Sequence, residues 1–227
     1  MTKKVVLSGD IIAFTSLSNE GKITLENELN RLFLILEEKF SVFGRIVKGD
    51  YLEMVIENPE DSLTVTLAIK SFIKSIALNE DLKDNHYQSY KENGIRIAMG
   101  YGELSRYDKE YGIIDGQAIY FSGRKISEER TTYNRERIVI KNTLYFVSDD
   151  EKLNENCNTI LGLLDFIINN ATRRQCEILF HRLIGLSEDE IATKLNVKQP
   201  TINKHSTSIG WNAIEKATKY FRLLLKT

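Results

Sequence analysis

Ser8-Gly9-Asp10-Ile11-Ile12-Ala13-Phe14-Thr15-Ser16-Leu17 is the stretch on which the fold turns. A short apolar run, Val5-Val6-Leu7, leads into it, and Asp10 falls where that strand should end. Lys48-Gly49-Asp50 repeats the arrangement: Ile46-Val47 precede it, and a second apolar run from Leu52 to Ile56 follows. Two carboxylates at the ends or turns of neighbouring central strands can hold a hard divalent cation between them.

Working outward, residues 5–12 read as a buried strand. Residues 24–40 read as a helix capped by Thr24, with Leu25, Leu29, Leu32, Phe33, Leu36 and Phe40 on one face. Strands at 43–47 and 51–56 meet through Gly49-Asp50, a tight hairpin. Pro59 and Asp61 open a second helix, 62–77, whose stripe is Leu63, Leu67, Phe72 and Ile76. Residues 78–93 are polar without a period and read as a loop. Residues 94–104 alternate as a strand, 105–115 form a Tyr/Asp/Gly-rich turn, 116–129 a helix, 136–140 a strand and 144–147 a short edge strand. This order predicts an α+β unit with a ferredoxin-like sheet and helices on one face, over 1–147.

Residues 148–158 read as a polar linker, and 159–227 as an all-α helix-turn-helix unit without strand signals. Thr172-Arg173-Arg174-Gln175 and Ser187-Glu188-Asp189-Glu190 both have the capping-box form. Asn196-Val197 makes a turn, Pro200 sits near the start of a third helix, and Gly210 breaks it before a last amphipathic helix. Val197, Ile202 and Ile209 form an inner face; Lys198, Gln199, Thr201, Asn203, Lys204 and His205 offer side chains able to reach phosphates or base edges. From Asp165 onward there are ten Lys/Arg against six Asp/Glu, a local +4, whereas the rest of the chain carries −5. That asymmetry points to a polyanion partner, though a solvated three-helix capping unit has the same look.

Composition narrows the setting. The 227 residues are 42% apolar and 28% charged, ordinary for a soluble globular chain. Cys157 and Cys176 form neither a CxxC pair nor a disulfide framework, which fits a reducing cytoplasm. Gly9-Asp10 ends the first apolar run too early for a signal peptide, and no segment approaches the ~20 apolar residues of a membrane span. His86, His181 and His205 share no metal-ligand spacing.

Two resemblances follow. Thr172-x-x-Gln175, Gly185-Leu186-Ser187, Glu190-Ile191-Ala192, Leu195 and Thr201-Ile202-x-x-His205 resemble the DNA-binding domains of LuxR-type regulators and of sigma-factor region four. Lys198 stands in a cap slot where Ser is usual. Asp10-Ile11-x-x-Phe14-Thr15-x-Leu17, Gly49-Asp50, Gly94 to Gly100 with Gly102, and Gly116-x-x-Ile119-x-x-x-x-Arg124 resemble class III nucleotide cyclases, in the right order over about residues 1–130. The SatD-like bacterial group has a similar combination.

The cyclase resemblance implies that Asp10 and Asp50, with the Ile11 carbonyl, would hold Mg²⁺ or Mn²⁺, and that Arg124 would steady a transferring phosphate. It implies a nucleotide ligand and a homodimer, since cyclase sites form between two chains. The departures lie at the readers of the substrate. Tyr120 stands where the family has its transition-state asparagine, and Ile46 and Ile113 replace the purine-reading lysine and its partner aspartate. Losing hydrogen-bonding base readers abolishes ordinary base selection. Three readings remain open: a silent cyclase relative that senses a ligand, an active cyclase of unusual base specificity, or aspartates with structural duty only. The expectation carried forward is a cytoplasmic, homodimeric, DNA-binding transcriptional regulator with a degenerate cyclase-like regulatory domain. Catalysis by an active cyclase is the alternative.

Overall fold

The structure is a computed structural model that describes residues 3–78, 91–92, 94–136 and 142–226. β1 (Lys4–Ile11) is the middle of a five-stranded sheet ordered β2-β3-β1-β4-β7, with β2 (Val42–Lys48), β3 (Tyr51–Ile56), β4 (Ile95–Gly102) and β7 (Leu144–Val147). β1 runs antiparallel to both neighbours, and β4 pairs with β7 in parallel. Successive strand side chains point to opposite faces. Val5, Leu7 and Ile11 therefore enter one apolar layer and Val6 the other, which is why the run has no polar alternation.

α1 (Asn19–Phe40) and α2 (Ser62–Ser75) cover the face of Val5, Leu7 and Ile11. α1 begins earlier than its apolar spacing indicates. Its cap is Ser18, whose hydroxyl accepts the Gly21 amide at 3.0 Å, rather than Thr24. α2 departs further from expectation: every residue from Leu63 to Lys74 other than Thr64 is buried, so it is a central helix rather than a striped surface one. The sheet lies on one side of it and α5 (Arg173–Leu183) on the other, where Phe72 and Phe180 meet edge to face at 4.8 Å between centroids.

α3 (Gln117–Glu136) covers the opposite face, so helices flank both faces of the sheet rather than the one expected: the unbroken apolar run Val5-Val6-Leu7 needs cover on both sides. α3 approaches β4 so closely at Gly100 that a Cβ there would fall 2.0 Å from the Ala118 carbonyl oxygen. The stretch expected to be a plain turn, 105–115, is instead a hairpin of β5 (Leu104–Asp108) and β6 (Ile113–Gly116). Arg45 pins it to the main sheet, donating to the Gly112 carbonyl and, through Nε at 3.0 Å, to Glu53. The loop expected over 78–93 lies largely outside the described residues. So does the strand expected over 136–140, except Glu136, which ends α3.

The polar linker expected over 148–158 is a further correction. α4 (Glu151–Asn169) occupies it, capped by Asp150, whose carboxylate accepts the Leu153 amide at 3.0 Å. Its asparagines do not solvate a connector. Asn158 accepts from the Phe146 amide at 2.9 Å and donates to the Phe146 carbonyl at 2.8 Å, supplying what a sixth strand would. Asn154 accepts from the Ser148 amide at 2.7 Å in the same manner. A sheet edge is thereby closed by side chains.

α6 (Glu188–Lys194), α7 (Gln199–Ser208) and α8 (Trp211–Leu224) complete the chain. Both expected capping boxes are present, at Thr172/Gln175 and Ser187/Glu190. One apolar cluster runs from Val5 through α2 and α5 to Phe221 and Leu225, and Phe146 on β7 meets Phe221 on α8 at 5.9 Å. A smaller cluster of Ile178, Ile191, Ala192 and Ile202 joins α5, α6 and α7.

One ionic cluster is sealed inside the main core. Lys70 Nζ lies 3.1 Å from Asp165 Oδ1, and neither side chain is more than 1% exposed. Asp165 also accepts the Thr143 amide at 2.5 Å and its hydroxyl at 2.6 Å. Lys74, one turn along α2, donates to the Ile168 and Asn169 carbonyls at 2.7 and 2.8 Å. It thus caps the carbonyl end of α4, where the helix dipole favours a cation.

Candidate functional site

Asp10, Ile11 and Asp50 do come together. Asp10 closes β1 opposite Tyr51 on β3 and Arg96 on β4, and Asp50 sits in the turn between β2 and β3. The Ile11 amide donates to the Asp50 carbonyl at 2.9 Å, which fixes the turn against the strand end. Gly49 makes that turn with φ +41°, a region that costs other residues about 1–2 kcal/mol. Ile11 itself turns its side chain into the α2-side core, whereas Asp10 faces α3.

The carboxylates meet arginines. Arg96 Nη1 lies 3.4 Å from Asp10 Oδ2. Arg130, on α3, spans the pair: its Nη1 is 3.4 Å from Asp10 Oδ1 and its Nη2 3.4 Å from Asp50 Oδ2. Asp10 and Arg96 are buried, and the Arg130 side chain is 48% exposed. Burial pushes the Asp10 carboxyl above its usual range; the two guanidiniums pull it back only in part, and the charge of Asp50 adds to the rise. Next to this corner Ser8 Oγ and Ser122 Oγ lie 2.9 Å apart, which seats α3 on β1.

These facts test the fit of a divalent ion. Carboxylate oxygens are the donors that Mg²⁺ or Mn²⁺ requires. Here one guanidinium already lies against both carboxylates, and a second flanks Asp10. Among the described residues, no group of three or more His, Cys, Asp or Glu side chains gathers as a metal cluster. The pair as folded does not fit an additional dication.

Arg124, expected to steady a phosphate, is exposed on α3, and the ion pairs of Asp10 and Asp50 go to Arg96 and Arg130 instead. Tyr120 is exposed and donates to Asp115 Oδ1 at 2.7 Å. Ile46 packs at the edge of the apolar core, and Arg45 beside it is engaged by Glu53 and the β5–β6 turn. Arg130 escaped the sequence reading because the helix was expected to stop at Glu129. The continuing Glu/Arg pattern over Glu128-Glu129-Arg130 was the available signal.

The second set of residues lies along α6 and α7. Ile202 and Ser206 are buried, while Lys198, Thr201, Asn203 and Lys204 are exposed and Gln199 and His205 half-buried. Lys198 precedes α7 without a side-chain capping bond. Glu188, at the start of α6, accepts Gln199 Nε2 at 2.7 Å and Asn203 Nδ2 at 3.3 Å.

Among the described residues, no helix is long and apolar enough to cross a membrane. No protein-family model matches the chain, and no curated protein matches it. Among solved structures, a bacterial light-regulated adenylyl cyclase is similar over 64% of this chain and 43% of its own, at 16% identity and a TM-score of 0.45. A second structure of that description gives 64%, 42%, 16% and 0.45. Adenylyl cyclase CyaB from P. aeruginosa is similar over 56% of this chain and 71% of its own, at 19% identity and a TM-score of 0.36. The chain therefore spans less than half the length of the light-regulated cyclases it matches.

Proposed function

We propose that this chain is a cytoplasmic, homodimeric DNA-binding transcriptional regulator whose cyclase-like sheet unit serves regulation rather than catalysis. The observation that carries this reading is α7: Thr201, Asn203 and Lys204 point to solvent while Ile202 and Ser206 anchor the same helix to the core. A polar helix held from behind in this way is suited to a DNA major groove. Lys198 and Lys204 would meet phosphates, and Gln199, Thr201, Asn203 and His205 lie along the same segment as base or backbone contacts. A dimer would present two such helices about one DNA turn, ~34 Å, apart. The strand order β2-β3-β1-β4, antiparallel throughout, supports the ferredoxin-like, cyclase-like reading of the sheet. A nucleotide-class ligand of that unit is the effector the resemblance implies.

Retardation of genomic fragments by the purified chain at low salt tests this. Lys204→Ala should weaken binding uniformly across sequences and lower the salt slope by about one unit. Retention of no fragment at low salt refutes DNA binding. The alternative reading, an active cyclase of unusual base specificity, requires Arg96 and Arg130 to yield the Asp10–Asp50 corner to a dication. Incubation with each nucleoside triphosphate and Mn²⁺, read by mass spectrometry, distinguishes it: a cyclic product lost in Asp50→Ala establishes catalysis.

A further inference from the structure

We propose that Arg130 is a built-in counter-cation that closes the Asp10–Asp50 corner to divalent ions. The juxtaposition is specific. One guanidinium places separate nitrogens 3.4 Å from a carboxylate oxygen of each aspartate, on segments forty residues apart in the chain. A planar guanidinium fork presents separate nitrogens to the two acceptors in a fixed geometry. Arg96 contributes a second, buried positive charge on the far oxygen of Asp10. Two guanidiniums already face the two carboxylates, so a dication entering the corner meets positive charge in place.

The source of the cation is what distinguishes this corner from an open one. Arg130 is tethered through α3, and α3 is fixed on the sheet at Gly100/Ala118 and Ser8/Ser122. A tethered group acts at an effective concentration in the millimolar range or above. Free Mg²⁺ or Mn²⁺ must displace it and then sit beside Arg96. Arg130 is also half-exposed, so it can leave the corner without unfolding α3. Its removal should uncover a site where none is populated in the parent chain. The inference concerns the sheet unit only and stands or falls independently of DNA retention.

Mn²⁺ titration of the full chain, followed by electron paramagnetic resonance of the free ion, tests it. The parent should show no saturable binding below the millimolar range, and Asp50→Asn should not change its titration. Arg130→Gln should bind at least ten-fold more tightly than the parent, and adding Asp50→Asn should abolish that gain. Equal affinity of parent and Arg130→Gln overturns the proposal. So does tight parent binding that disappears in Asp50→Asn. Arg130→Gln is read alongside far-UV circular dichroism, and Arg130→Met carries the same expectation and the same refuting outcome should the glutamine variant misfold.

Discussion

Two of the carboxylate–cation clusters among the described residues lie on opposite sides of one sheet and differ in solvent access. Lys70, Asp165 and Thr143 are sealed beneath α2 and α4, with every oxygen of Asp165 engaged. Asp10, Asp50, Arg96 and Arg130 form a corner whose contacts are longer and whose bridging residue is half in water. A sealed ion pair resists the loss of either partner, because the remaining charge has no access to solvent. An open corner can exchange one cation for another. The first cluster is therefore built to join elements, and the second has the geometry of a place where something can be swapped.

The comparison breaks most visibly at Asp165. Asp165→Ala leaves the Lys70 ammonium in an apolar interior and should cost about 3–5 kcal/mol in urea unfolding. A cost below 1 kcal/mol would mean the cluster is not sealed. Asp10→Ala removes one partner of buried Arg96 and should cost less, about 1–3 kcal/mol, since burial already disfavours the ionised carboxylate there.

Lys74 sharpens the contrast through pH. Burial holds its ammonium down to about 8 from 10.5. Above pH 8 the folded chain releases that proton while the unfolded chain keeps it, so this residue's contribution to stability rises with pH up to about 10.5. Measured against Lys74→Met between pH 7.5 and 10, the parent should gain about 2 kcal/mol. Parallel curves would remove Lys74 from the sealed group. The smallest effect belongs to Arg130→Gln, which should change unfolding free energy by less than about 1 kcal/mol, as expected of a half-exposed pair.

These contrasts also mark what the sequence made legible. Val5–Leu7 and the Gly49-Asp50 turn announced the central strands, because apolar runs bounded by turn residues have few other uses. Thr172/Gln175 and Ser187/Glu190 located two helix starts through local hydrogen bonding alone. Of the site, Asp10, Ile11 and Asp50 were found, and Arg130 was not. Its role depends on where α3 crosses the sheet, which no local pattern encodes. Lys70 and Lys74 were hidden for a related reason: charged residues on a helix normally mark its wet face, and here tertiary partners reverse that. Asn154 and Asn158 illustrate the same ambiguity, since residues that solvate a loop are also those that close a sheet edge.

The contact between Phe146 and Phe221 has a consequence for synthesis of the chain. Until residues up to Phe221 have left the ribosome, the cluster that includes β7, α2 and α5 lacks its covering helix. The sheet strands are made early and must wait with apolar surface open, the condition in which nascent chains recruit chaperones. Early translation arrest anywhere between α3 and α8 should therefore yield aggregation-prone fragments rather than a folded amino-terminal half.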